Sequence, residues 1–288
     1  MEPAAFFSLP LWRDYTFQIV LAGTTILGVL CGVVGSFIVL RKEALLGDGI
    51  SHSSYPGIML AFLVLGVKTL EGLLLGAFLS ALAALSLTSI LSSFFGAGLV
   101  LSSIIQHTGN ANQSGLNQFI FGQASTILYR DVLLTGSISI FTLFLIFLFR
   151  KELKLMAFDP DYAAVLGFPR GKLNVFLSFL ATITVLLSIQ AVGIILMSAM
   201  LIAPAVAARQ WTRRLEPMIL LSAVIGALSS AIGTTASSLI PKMPTGPAIV
   251  VALSFFVIPG LLLAPQRGIL SRCLHKKKMA ALAEGDRL

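Results

Sequence analysis

Asp48 and His52 stand four residues apart in "ALLGDGISHSSYPGI" (44–58), inside an otherwise apolar segment. In a helix, residues i and i+4 share a face. A carboxylate and an imidazole on one face are a ligand pair for a divalent first-row transition metal. Pro56 lies four residues further on. It has no N–H, so the carbonyl of His52 loses its usual helical donor. Gly47, Gly49 and Gly57 keep the local surface bare. From Lys42 to His52 the rise is about 15 Å at ~1.5 Å per residue, half of a hydrocarbon layer of about 30 Å. Ionisable residues at such depth are costly and mark function. The bland alternative makes Asp48 a helix cap after Gly47 and gives His52 a neighbouring serine. Two pairs, one from each half of a dimer, would make a four-ligand site. Ser51, Ser53, Ser54 and Tyr55 are read as satisfying backbone groups near the proline. Met197 and Met200 are read as packing, His107 as the end of a loop, and His275 as part of a basic tail.

The elements that position this pair follow from composition. The chain has 288 residues, 57% hydrophobic and only 11% charged. Soluble domains carry about 25% charged residues, so this is a polytopic membrane protein. Apolar runs predict spans at 15–40, 44–66, 131–149, 173–190, 192–208, 217–240 and 246–264. Residues 72–106 carry no charge and suit two short helices broken near Ser92–Ser93. Residues 108–126 are polar and Gly-rich and read as a loop or re-entrant segment. The expectation is an all-α bundle of eight or nine spans over residues 1–265, with a basic tail at 266–288. Gly28 and Gly32, Gly72 and Gly76, and the row Ser222, Gly226, Ser230, Thr234 have the spacing that lets helices approach closely in lipid.

The net charge of +8 is unevenly spread. Arg150, Lys151, Lys154, Arg170 and Lys172 flank one hydrophilic loop. Arg209, Arg213 and Arg214 form a second cluster, and the tail a third. Short basic loops stay in the cytoplasm, which puts these three clusters and the C-terminus there. Eight spans put the N-terminus inside; nine put it outside, the side that Arg41 and Lys42 favour. No compact basic domain exists to bind nucleic acid. No cleavable signal peptide is evident. Cys31 and Cys273 lie in dissimilar segments and are not expected to pair.

A second stretch, "MAFDPDYAAVLGFPRGK" (156–172), encodes a short helix over 160–166. Asp159 is a cap, Pro160 a first-turn residue, Asp161 complements the helix dipole, and Gly167 is a stop. Two turns cannot cross a membrane. Tyr162, Val165 and Leu166 would be free to enter a partner's groove. "GFPRGKL" (167–173) imitates a phosphate-binding loop. That loop needs four residues between its glycines and Ser or Thr after its Lys; here there are three, followed by Leu173. No other candidate ATP site occurs. A serine hydrolase is disfavoured because there is no GxSxG elbow.

These stretches resemble the permeases of the zinc/manganese/iron class of bacterial ABC importers. "LRKEALLGDGISHSSYPGI" is similar to that family's basic pair, Leu-x-Gly-Asp-Ala-x-Ser-His and Pro-Gly. "FDPDYAAVLG" resembles its coupling helix. "QHTGNANQSGLNQFIFGQA" and "VGIILMSAMLIAPAVAAR" match two further blocks. The likeness runs from residue 15 to 265. It departs in lacking a charged stretch within 72–106 and in having Ser-Ser-Tyr before Pro56. The resemblance implies a plasma (inner) membrane transport component rather than an enzyme. It implies a dimer with a second copy or a paralogue, a dimer of ABC ATPase subunits, and an extracytoplasmic metal-binding protein. Manganese, zinc or iron would be cargo, with no permanently bound cofactor. Asp48 and His52 would be pathway ligands. Phe158, Asp159, Pro160, Asp161, Tyr162, Val165, Leu166 and Gly167 would meet the ATPase. The rival reading is a proton-coupled secondary metal transporter using Asp48 and His52 as a relay.

Overall fold

The computed structural model describes residues 14–65, 69–86, 98–104, 120, 122, 127–240 and 243–264. Among these residues the chain is all-helical. The helices are α1 (Tyr15–Leu40), α2 (Ala44–Leu65), α3 (Leu70–Ser86), α4 (Tyr129–Leu148), α5 (Arg150–Phe158), α6 (Pro160–Val165), α7 (Arg170–Val192), α8 (Ile194–Trp211), α9 (Leu215–Leu239) and α10 (Thr245–Leu263). A short helical stretch also covers 98–104. Six of them, α1, α4, α7, α8, α9 and α10, are long and apolar enough to cross a membrane. The segment expected as a span at 44–66 forms α2 but is not among these six, its polar cluster lowering its hydropathy. The apolar helix within 72–106 appears as α3. Ser92–Ser93, His107, most of 108–126, and the tail with Cys273 and His275 lie outside the described residues.

α1 is the most enclosed of the six, and its small residues explain why. A Cβ at Gly28 would strike the backbone carbonyl of Gly226, and one at Gly32 would strike that of Ser222. Glycine is therefore the condition for the α1–α9 contact, the most extensive helix pairing in the described chain. Hydroxyls then bond across it: Ser222 donates to the Gly32 carbonyl at 2.8 Å, and Thr24 and Thr234 share a hydrogen bond of 2.9 Å. Lipid tails offer no hydrophobic drive between helices, so close packing and such bonds supply the association.

α2 and α3 make the second most extensive pairing, with Gly57 and Gly76 backbone to backbone. Although a tight turn joins α1 to α2, the two helices touch little. α7 and α8 bridge the α2–α3 unit to the α1–α9 core. The methionines at 197 and 200 are wholly enclosed packing residues, as their setting in an apolar helix suggests.

Contacts fix which helix ends lie together. Arg41, in the α1–α2 turn, bonds Glu43 at 2.7 Å and the Asn174 side chain at 2.6 Å. Arg209 donates to the Val39 carbonyl, Lys154 pairs with Glu216 at 2.6 Å, and Gly260 lies against Trp211. These contacts collect Arg41, Lys42, the 150–172 segment, the 209–214 cluster and the end of α10 at one end of the bundle. At the other end Tyr15 meets Tyr129, Glu71 pairs with Arg130 at 2.6 Å, and Thr245 donates to the Ala191 carbonyl.

The α1–α9 contact yields a direct check. Gly28→Val should lower the thermal stability of the detergent-solubilised protein by roughly 1–3 kcal/mol, the usual cost of overpacking. Gly136→Ala, whose new Cβ would sit 3.8 Å from Ile26, should be silent.

Candidate functional site

α2 carries the candidate ligands. Its backbone runs unbroken through Pro56. The serines answer to carbonyls: Ser51 donates to the Asp48 carbonyl at 2.9 Å, while Ser53 and Ser54 both donate to that of Ile50, at 3.0 and 2.6 Å. Ser80, on α3, donates to the Ser53 carbonyl. The hydroxyls thus serve the backbone beside the proline, as read from the sequence. Tyr55 is wholly buried. The helical stretch 98–104 covers this point by laying Gly98 against Tyr55 and Pro56.

On the remaining face, His52 Nε2 stands 3.3 Å from Asp48 Oδ1. The His52 side chain is 28% exposed and that of Asp48 45%. The pair is therefore reachable from outside the chain, while Ile50, Ser51, Ser53 and Ser54 around it are buried. Asp48 is not a helix cap, since it lies a full turn inside α2. Among the described residues no group of three or more His, Cys, Asp or Glu comes together. The described residues of one chain thus offer one carboxylate and one imidazole here.

The second candidate element is α6. Asp159 Oδ1 accepts from the Tyr162 N–H at 2.9 Å, and Pro160 opens the helix. At the other end, Gly167 takes φ +85°, a conformation natural to glycine. Its N–H donates to Ala164 and that of Phe168 to Ala163. Ala163 is buried and anchors the helix. Phe158, Tyr162, Val165 and Leu166 are exposed, Val165 at 82%. Asp161 pairs with Arg170 at 2.9 Å. A short helix capped at both ends thus presents bare Tyr162 and Val165, flanked by exposed Phe158 at the end of α5 and Leu166 at its own C-cap, at the basic end of the bundle.

Sequence reasoning missed α5, which was read as hydrophilic loop. Its charges hid an amphipathic period in which Leu153 and Met156 are buried three residues apart. The ion pairs Arg130–Glu71 and Lys154–Glu216 were also not foreseen. Their partners are about sixty residues apart, and no local pattern links them.

The profile of the ABC 3 transport family matches residues 13–264. This chain belongs to the ABC 3 transport family. It is 43% identical over 290 residues to the zinc transport system membrane protein TroC of Treponema pallidum, covering 95% of this chain and 97% of TroC. It is 40% identical to the manganese transport system membrane protein MntC of Bacillus subtilis, covering 91% of this chain and 64% of that protein. The fold resembles that of PsaBC from Streptococcus pneumoniae, solved in complex with Fab. The TM-score is 0.82 at 29% identity, covering 95% of this chain and 99% of that one.

The capping of α6 is testable by itself. Asp159→Ala should cost about 1 kcal/mol of local helix stability. Amide hydrogen exchange at Tyr162 and Ala163 should then rise about fivefold, while Asp159→Asn keeps most of the protection.

Proposed function

We propose that this chain is the membrane-spanning permease of an ATP-driven importer of divalent transition metal, with Mn2+, Zn2+ or Fe2+ as cargo. The observation that carries the reading is the Asp48–His52 pair, side by side on an accessible face of α2. Family membership and the transport roles named for TroC and MntC support it. Metal arrives from an extracytoplasmic binding protein. It passes the carboxylate and imidazole of this chain and those of a second copy or paralogue. Few ligands suit transit, because a pathway must release what it binds. The exposed apolar residues of α6 dock on a separate ATPase subunit, whose movement they pass to the bundle. A secondary transporter driven by protons would give that surface no task.

We read nine crossings. α2 has 22 residues, about 33 Å of helix, enough to cross alongside the six apolar spans. α3 returns antiparallel to α2, from the Glu71–Arg130 end towards the basic end. α4 then starts again at the Arg130 end; the ninth crossing that this reading counts falls outside the described residues. Positive-inside bias puts Arg41, Lys42, α5, α6 and the C-terminus in the cytoplasm and Tyr15 outside.

Two measurements test these readings. With the ATPase and binding protein co-expressed at normal levels, Asp48→Ala plus His52→Ala should cut metal uptake at least about tenfold. Unchanged uptake would remove the site. Uptake surviving a catalytically dead ATPase would instead favour a proton-coupled carrier. For topology, in a Cys273→Ser background, a membrane-impermeant thiol reagent on intact cells should label Leu128→Cys and spare Val165→Cys. The opposite pattern inverts the assignment.

A further inference from the structure

At the basic end, α4 and α9 flank α1 without packing extensively on one another. They leave an open crevice of about 710 Å³. Its walls are apolar: Val33 and Phe37 from α1, Leu143 and Phe147 from α4, Ile219 and Leu220 from α9. Its mouth is formed by Arg150, Lys151 and Lys154 of α5, with Glu216 of α9. Lys154 is taken up by Glu216 at 2.6 Å, and the Arg150 guanidinium lies over the Phe147 ring at 5.0 Å. Three cations against one carboxylate leave the mouth positive. α5 buries Leu153 and Met156 and exposes Arg150, Lys151 and Lys154, the habit of a helix lying in a membrane interface.

We propose that this crevice holds an anionic phospholipid. Its acyl chain lies between α4 and α9 against α1, and its phosphate meets Arg150 and Lys151. A soluble anion would use the cations but leave the apolar walls wet. A zwitterionic lipid would fill the walls but carry no net charge to match the excess positive charge. Basic pockets between transmembrane helices near the headgroup level have this selectivity. The site makes no use of Asp48, His52 or the exposed residues of α6. It therefore stands whether or not the transport reading holds.

The test is lipid retention by the assembled complex, purified from nanodiscs with equal amounts of phosphatidylglycerol and phosphatidylcholine of identical chains and counted by native mass spectrometry. The wild type should retain phosphatidylglycerol in preference. Arg150→Gln with Lys151→Gln, which spares the Lys154–Glu216 pair, should reduce that retention about fivefold per cation removed and leave phosphatidylcholine unchanged. Leu220→Trp, which fills the crevice without touching a charge, should lower both. Equal retention of the two lipids by the wild type overturns the proposal. So does undiminished phosphatidylglycerol in the double variant or in Leu220→Trp.

Discussion

A hydrocarbon layer offers no hydrogen-bond partner to anything placed in it, so each polar group inside must be met by the chain itself. For α2, proposed above as a crossing, this constraint would be severe. An aspartate deep in a membrane costs about 3 kcal/mol on insertion scales, and a proline removes a backbone donor besides. The sequence around them supplies polar partners close by. His52 stands against Asp48, three serines return to helix carbonyls, and Ser80 reaches across from α3. The approach of α3 that allows this last bond depends on Gly57 and Gly76. The cluster is therefore supported by a local arrangement that extends beyond its own helix.

The rest of the bundle divides into two closely packed units. α1 and α9 are locked through glycine, serine and threonine into a contact with no room for a larger side chain. α2 and α3 form their own unit and touch α1 little, being tied in through α7 and α8. Packed interfaces of this kind shift as bodies rather than deforming continuously. α7 begins just after α6 and also packs on α2 and α3. Tyr162 and Val165 thus have a short covalent and packed connection to the helix carrying Asp48.

Much of this was legible in the sequence because the signals were local. Apolar length placed α1, α2, α4 and α7 to α10 within a few residues of their observed ends. Asp159, Pro160 and Gly167 marked the limits of α6, because caps act within one turn of themselves. The i, i+4 spacing put Asp48 beside His52. The small-residue row of α9 announced its packing, though not that its partner was the GxxxG of α1. Less local features were hidden. α5 has too many charges for its apolar stripe to stand out. The sidedness of the α1–α2 turn rests on Arg41 meeting Asn174, 133 residues away, and no propensity encodes that contact.

The incompleteness of the proposed site bears on assembly. A divalent first-row ion seeks four or more donors, and this chain brings two together with no third acid, thiol or imidazole among the described residues. Were the pair a resident metal centre, buried ligands and a dense supporting shell would be expected. Instead both side chains keep part of their surface open, on the face of α2 that its neighbours leave uncovered. A half-site on an accessible surface is what a two-fold arrangement can complete, since the same residues from a second copy arrive with the complementary orientation. The remaining positions would fall to water, giving ligation weak enough to release. Geometry and supply, rather than the ligand pair, would then decide which metal is carried, because carboxylate and imidazole accept manganese, iron and zinc alike.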